Sequence, residues 1–175
     1  CIHFLVGKIG PITYRNRLAG AELALKHAGV KMPNSGNVLH AEPDDLKALK
    51  RYLKRQKSQP DAFICSNDAI AAIFKKTLEA AGLNVPKDVM LTGFADLPVA
   101  SLMTPTLTTV HQNRELLAQT AFRRLMDRIR EPDLPPCDIF IPSNIVVRES
   151  SSRTKTTTKR NGAKRGNYRC GNEIL

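Results

Sequence analysis

Short apolar runs alternate with helical spacing along most of this chain. Asp61-Ala-Phe-Ile-Cys-Ser, Val89-Met-Leu-Thr-Gly-Phe and Leu107-Thr-Thr-Val-His-Gln are compact runs rich in Val, Ile, Leu, Phe and Thr. Helical or turn segments separate them. That order predicts βαβ units and a parallel sheet. Ile2 to Val6 reads as a further buried strand, and residues 37–40 as a weaker one. Between the runs the period changes to that of a helix. Residues 14–28 carry Leu18, Ala21, Leu25 and Ala28 on one face, with Thr13 as N-cap and Gly29 as stop. Residues 44–57 are opened by acids and closed by bases, as the helix dipole favours, with Leu46, Leu49 and Leu53 inside. Residues 68–81 follow an Asn67 cap, carry Ile70, Ile73, Phe74, Leu78 and Ala81, and end at Gly82. A short helix is predicted over 96–103, with Pro98 near its start. Asn113 caps a long helix over 114–131. Its stripe of Leu117, Ala121, Leu125 and Ile129 is widened by Phe122 and Met126 beyond what one neighbour requires. Residues 139–147 read as one or two strands broken near Pro142.

Polar residues sit where the apolar runs stop: Asn67 and Asp68 after the first, Asp96 after the second, Gln112 after the third. In an open parallel sheet the strand carboxyl ends share one edge, and ligands bind in the crevice there. These four side chains are therefore candidates for one cleft. Capping is the competing role for Asn67, and one oxygen can cap while the amide faces a ligand. Asp96 has the same alternative, as a cap on the short helix after it. Arg15 and Arg17 lie in a first helical turn, where the dipole disfavours cations. That placement points to an anionic or hydroxyl-rich partner, although spacing alone favours two solvated side chains. Gly7-Lys-Ile-Gly-Pro lacks the spacing and the Lys-Ser/Thr pair of a phosphate loop.

The 175 residues suffice for one domain, or a domain plus a tail, and a hydrophobic fraction of 42% allows a true core. No apolar run is long enough to span a bilayer. No secretory leader is visible, and Cys1 opens directly into a strand pattern, as expected of a fragment or a processed product. The cysteines, Cys1, Cys65, Cys137 and Cys170, show no metal-ligand spacing. Cys65 falls in a buried strand as a small core residue, and a reducing, cytoplasmic compartment is expected. The net charge of +11 is concentrated at one end. From Ser150 onward there are seven bases and the single acid Glu173, so more than half of the excess belongs to a tail. That segment is Ser-, Thr-, Lys- and Arg-rich and nearly free of apolar residues. It cannot offset its ordering entropy, and a disordered tail over 150–175 is expected. Its charge would give at most weak, salt-sensitive attachment to nucleic acid, and a solvated tail is the favoured reading.

Five linked motifs carry a specific resemblance. Pro60-Asp-Ala-Phe-Ile-Cys-Ser-Asn-Asp, Ala80-Ala-Gly-Leu-Asn-Val-Pro-Lys-Asp-Val, Thr92-Gly-Phe-Ala-Asp, Thr104-Pro-Thr-Leu-Thr-Thr-Val-His-Gln and Val146-Val-Arg-Glu-Ser are similar to the lactose-repressor/galactose-repressor (LacI/GalR) family of bacterial regulators. The resemblance runs in order from about Ile2 to Ser150. It implies an α/β fold with a doubly wound parallel sheet, like a type I periplasmic binding protein. Residues 1–149 would be a partial effector-binding and dimerisation domain, mainly the C-terminal subdomain (2–112 and 138–149). The helix over 114–131 would pack on the other subdomain. The helix-turn-helix headpiece, the hinge and most of the first subdomain would lie outside this chain. The implied partners are a small-molecule effector, a sugar or related metabolite, and a second copy through 68–81 and 97–103. Operator DNA would be bound only through the headpiece, and neither a membrane nor a cofactor is implied.

By the same resemblance, Arg17 in Arg-Leu-Ala-Gly matches the arginine that holds ligand hydroxyls or carboxylates. Its planar fork suits bidentate contacts. Thr13 matches a nearby loop contact, Asn67 a contact at the strand end and Gln112 one at the crossover. Asp68 and Asp96 complete the candidate set. Ala95 is the departure: the family commonly has Asp there, accepting hydrogen bonds from the ligand, and Ala cannot. No catalytic or metal-binding residues are expected. The alternatives are a solute-binding protein of a transporter, which shares the fold, and an enzyme of the doubly wound class. The second lacks a nucleophile elbow, a metal cluster and a dinucleotide fingerprint. A degenerate or truncated reading frame is a fourth reading.

Overall fold

The computed structural model describes residues 1–6, 12–30 and 37–153. The loop Gly7 to Pro11 and the tail from Thr154 onward, both read above from sequence, lie outside the described residues. Six strands and five helices follow in the order β1 (Ile2–Val6), α1 (Ile12–His27), β2 (Val38–His40), α2 (Leu46–Arg55), β3 (Ala62–Cys65), α3 (Asp68–Ala80), β4 (Met90–Thr92), α4 (Pro98–Leu102), β5 (Thr109–Gln112), α5 (Arg114–Arg130) and β6 (Ser143–Val146).

Strands β2, β1, β3 and β4 form a parallel sheet in that order. Strand β5 continues it on the far side of β4. Isolated parallel bridges join Thr92 to Thr108 and Ala95 to His111, and the Gly93 and Ala95 N–H groups each donate across the gap at 2.9 Å. Strand β6 then runs antiparallel to β5, with Gln112 opposite Ser143. The expected α/β class with a parallel sheet is thus present. The central strands β1, β3 and β4 are largely buried, so their side chains are mostly apolar, whereas β6 is exposed. Phe63, Leu5 and Leu91 of the sheet meet Phe74 and Leu78 of α3 and Leu49 of α2, all at 1% exposure or less. The Phe63 and Phe74 rings pack edge-to-face, 5.0 Å apart. Cys65 lies in this core, where burial pushes its thiol well above the ordinary cysteine range.

Local signals place most ends. Asn67 Oδ1 accepts from the Ile70 N–H at 2.8 Å, and Asn113 Oδ1 from the Leu116 N–H at 3.0 Å, so both caps form as expected. Gly82 takes a φ of +85° after α3, which a side chain would oppose. Four expectations move. Thr13 does not cap α1, because the helix already begins at Ile12 and its first turn takes in Thr13. Asp96 does not cap α4. Leu97 is the N-cap residue and has no side-chain cap, while its N–H donates to Asp68. Of residues 139–147, only Ser143–Val146 pair, since β5 offers an edge of four residues. The folded body also passes the expected limit at Glu149. Ser150 is fully buried, its hydroxyl donating to the Leu91 carbonyl and accepting from the Thr108 N–H. Arg153 donates to the carbonyls of Asp61, Pro86 and Asp88, tying the chain to the opposite end of the sheet.

The long helix α5, like α1, lies outside the core. None of its residues is buried, and Leu117, Phe122, Leu125 and Ile129 are 49% to 63% exposed. Its wide apolar stripe is real, and nothing in the described residues covers it.

Candidate functional site

Three connections bring chemistry to the carboxyl edge of the sheet: β3 into α3, β4 into α4, and β5 into α5. Asn67 is the second residue past β3, after Ser66. Its amide has two jobs. The oxygen caps α3, and Nδ2 donates to the Tyr14 hydroxyl on α1 at 2.8 Å. Arg17, one turn after Tyr14, donates through Nη1 to the Ser66 carbonyl at 2.6 Å. Its guanidinium carbon lies 3.8 Å from the centroid of Phe94, the residue after Gly93 beyond β4, and 5.7 Å from that of Tyr14. A flat cation against a ring face is an attractive arrangement that also fixes the plane of the fork. Burial lowers the Arg17 pKa from its ordinary value, and the Tyr14 phenol opposes that shift. The Ser66 side-chain oxygen is buried without a hydrogen-bond partner.

Arg17 and Asn67 are thus brought together, with Tyr14, Ser66 and Phe94, which reading the sequence had not singled out. A usable signal existed for Tyr14: it stands three residues before Arg17 on one helix, where side chains are neighbours. No comparable signal marked Phe94 or Ser66. Thr13 is exposed and outside this group. Gln112 ends β5 half-buried, at the point where the chain leaves the sheet for α5.

The two acids take different places from those expected. Asp68 is not offered to the cleft. It is fully buried, with Oδ2 accepting from the Leu97 N–H at 2.7 Å and Oδ1 from the Thr109 hydroxyl at 2.5 Å. Both oxygens are spent on holding α3, the β4–α4 connection and β5 together. Gly93 makes room for this knot, because a Cβ there would collide with Asp68 and come within 2.9 Å of Leu107. Asp96 sits in a second polar group. Its Oδ1 accepts from Arg148 at 2.8 Å, and its Oδ2 lies 2.9 Å from His111 Nδ1. Burial pushes the Asp96 carboxyl up, but Arg148 and then His111 outweigh it and hold it below the usual range. Ala95 and Asp96 both have positive φ, 107° and 51°, so the chain turns sharply between Phe94 and His111's partner. Arg148 also donates to the Leu107 carbonyl at 2.9 Å.

Among the described residues no three His, Cys, Asp or Glu side chains lie close enough to hold a metal ion. No helix there is long and apolar enough to cross a membrane. What the edge can do is hold a ligand: a stacked, oriented guanidinium, an amide and a phenol converge on it.

Known proteins agree with this architecture. Residues 2–151 match the family described as periplasmic binding protein-like domain. The HTH-type transcriptional repressor PurR of Escherichia coli O1:K1 is 34% identical over 153 residues, covering 85% of this chain and 45% of the repressor. A structure of the transcriptional regulator CelR in complex with cellobiose superposes with a TM-score of 0.74 at 29% identity, covering 85% of this chain and 46% of that one. A LacI-type regulator from Bacillus cereus gives a TM-score of 0.74 at 27% identity, with coverage of 85% and 53%. This chain therefore spans about half the length of the relatives it matches. It belongs to the periplasmic binding protein-like domain family, in the form that LacI/GalR-type transcriptional regulators carry as their effector-binding core.

Proposed function

We propose that this chain is the effector-sensing and dimerising portion of a bacterial, cytoplasmic LacI-type transcriptional regulator. The observation that carries the reading is the convergence of Arg17, Asn67, Tyr14 and Phe94 on the carboxyl edge of the sheet, in a chain whose relatives are regulators. A small metabolite would lie on this edge and be covered by a second lobe supplied by sequence outside this chain. The bare stripe of α5 supports a lobe on that side, since an apolar face of this width is stable only when covered. Gln112, at the crossover into α5, would contact the ligand where the lobes meet. A ligand that binds the closed arrangement better than the open one shifts their populations by its difference in affinity. Operator affinity then follows by linkage. Operator DNA would be held by an N-terminal headpiece, not by these residues. A second copy would pair through 68–81 and 97–103, where Ile73 and Leu102 are 45% and 79% exposed.

The test is calorimetry of the intact regulator against a metabolite panel, with Arg17→Ala beside the wild type. Loss of a charged hydrogen-bonding group should weaken the bound metabolite by about tenfold to a hundredfold. A metabolite that binds equally well to both proteins would sink the assigned pocket.

A further inference from the structure

Helix α2 carries a charge pattern that the carboxyl edge does not use. Lys47, Lys50, Arg51, Lys54 and Arg55 lie within its ten residues, and Lys57 follows just beyond. All are exposed. From Leu46 to Pro60 there is no acid. Glu42, Asp44 and Asp45 precede the helix, where its dipole favours them, and Asp45 caps it by accepting from the Ala48 N–H at 2.8 Å. The bases are crowded together. Lys47 and Arg51, Lys50 and Lys54, and Arg51 and Arg55 stand four residues apart, where side chains are neighbours and like charges repel. Helix formation does not demand this, since uncharged Gln forms helices about as well as Lys or Arg. The dipole accounts only for Lys54 and Arg55, in the last turn.

Cations that recur at each turn, about every 5.4 Å, match an extended array of anions better than a single small one. The rest of the helix narrows the choice of array. Its apolar side is already used: Leu49 is fully buried, and Ala48, Tyr52 and Leu53 pack on the core. No apolar face is left to enter a lipid surface. The basic face offers no aromatic or aliphatic anchor of the kind that protein interfaces are built on. Tyr52 is the one aromatic in α2, and its hydroxyl lies 2.6 Å from Nδ1 of the buried His3, so nothing there can stack on unpaired bases. Point charges without anchors or stacking suit the phosphates of a duplex. The end of the described chain adds to this. Residues 56–61 lead from α2 into β3, and Arg153 donates to the Asp61 carbonyl at 3.0 Å. Arg153 is thus held at the sheet end toward which α2 runs, and the sequence after it contains six further bases and the single acid Glu173.

We propose that the exposed basic face of α2 is a docking surface for the phosphate backbone of a DNA duplex, independent of its sequence. This goes beyond the effector-sensing reading and does not depend on a metabolite at Arg17. Contacts to phosphates alone select no sequence, so operator choice stays with the headpiece.

The experiment uses the whole 175-residue chain. Its variants are Lys50→Gln/Arg51→Gln/Lys54→Gln on α2 and, matched in charge, Arg123→Gln/Arg128→Gln/Arg130→Gln on α5. Each is also made in a chain that stops at Arg153. Easing the repulsion should keep the α2 variant's unfolding midpoint near that of the wild type, which separates lost binding from lost folding. Anisotropy of a labelled DNA duplex of about 20 base pairs gives the affinity across a salt series. At about 0.1 M salt the α2 variant should bind about tenfold or more weaker, and its slope of log affinity against log salt should be shallower by about two to three. The α5 variant and the charge-keeping exchange Lys50→Arg/Arg51→Lys/Lys54→Arg should bind like the wild type, and the α2 effect should persist in the shortened chain. No binding at low salt, an equal loss in the α5 variant, or binding that resides wholly beyond Arg153 overturns the proposal. So does α2-dependent binding that is tighter to polyglutamate, to single-stranded DNA or to vesicles of equal phosphatidylglycerol and phosphatidylcholine than to the duplex. None of these results bears on metabolite calorimetry at Arg17, so the two readings fail separately.

Discussion

Asp68 and Arg17 are charged side chains of opposite sign at the same edge of one sheet, in opposite states. Asp68 is fully buried and both its oxygens are filled from within the chain, by Leu97 and Thr109. Arg17 lies on an outer helix with no fully buried residue, leans on Phe94, and pairs with no acid among the described residues. The first is an arrangement that the folded chain completes by itself. The second keeps donors that no described residue takes, and under the proposed function a ligand would take them. Under the proposed function, the contrast separates the part of the edge that sets stability from the part that would meet a ligand.

The sharpest way to break that contrast is Asp68→Ala. It leaves the Leu97 N–H and the Thr109 hydroxyl buried and unpaired, and should cost about 3–5 kcal/mol. Urea unfolding measures it, and a loss under 1 kcal/mol by the same reasoning would mean water repairs the gap. Gly93→Ala attacks the same knot from outside. Its new methyl would press on Asp68 and Leu107, one contact being Asp68 backbone at 3.1 Å. Overpacking of this kind should cost about 1–3 kcal/mol in the same assay. Arg17→Ala should behave differently, shifting stability by about 1 kcal/mol or less while removing ligand binding. Equal stability losses at the two positions would erase the distinction.

Asp96 stands between these extremes and can be read through pH. Arg148 and His111 hold its folded pKa below the ordinary value, so its ion pairs contribute stability above the unfolded carboxylate pKa of about 3.9. That contribution is lost as pH falls through the folded value. Unfolding midpoints of the wild type and Asp96→Asn should therefore converge as pH drops below about 4 and separate above about 5. A gap that is constant with pH would show that the carboxylate charge is not what holds this group.

How much of this was legible depends on sequence distance. The Asn67 and Asn113 caps act on N–H groups three residues on, so composition and spacing reveal them. The same holds for the parallel sheet, whose apolar runs are local. Asp68 looked like a cleft residue because the partners that bury it, Leu97 and Thr109, lie 29 and 41 positions away. Arg148 escaped notice because Asp96 is 52 positions away. Phe94 looked like one more apolar residue ending a strand, and only the crossing of α1 over β4's end gives it Arg17. The stripe on α5 was legible from its spacing, and among the described residues it stands exposed.

The effect expected at Ala95 is a net of two opposing terms. At a φ of 107° the Ala95 methyl is strained, and such residues cost about 1–3 kcal/mol relative to glycine. Glycine in turn frees the unfolded chain, which removes about 0.4–1 kcal/mol of the gain. Ala95→Gly should thus stabilise the fold by roughly 0.5–2 kcal/mol, since the strain term is the larger. The substitution adds no acceptor beside Phe94, so ligand binding at Arg17 should stay as in the wild type. Unfolding midpoints and the metabolite calorimetry, read together, check both halves. Stabilisation with altered ligand binding would mean that the strained turn at Ala95 sets the position of Phe94 under Arg17.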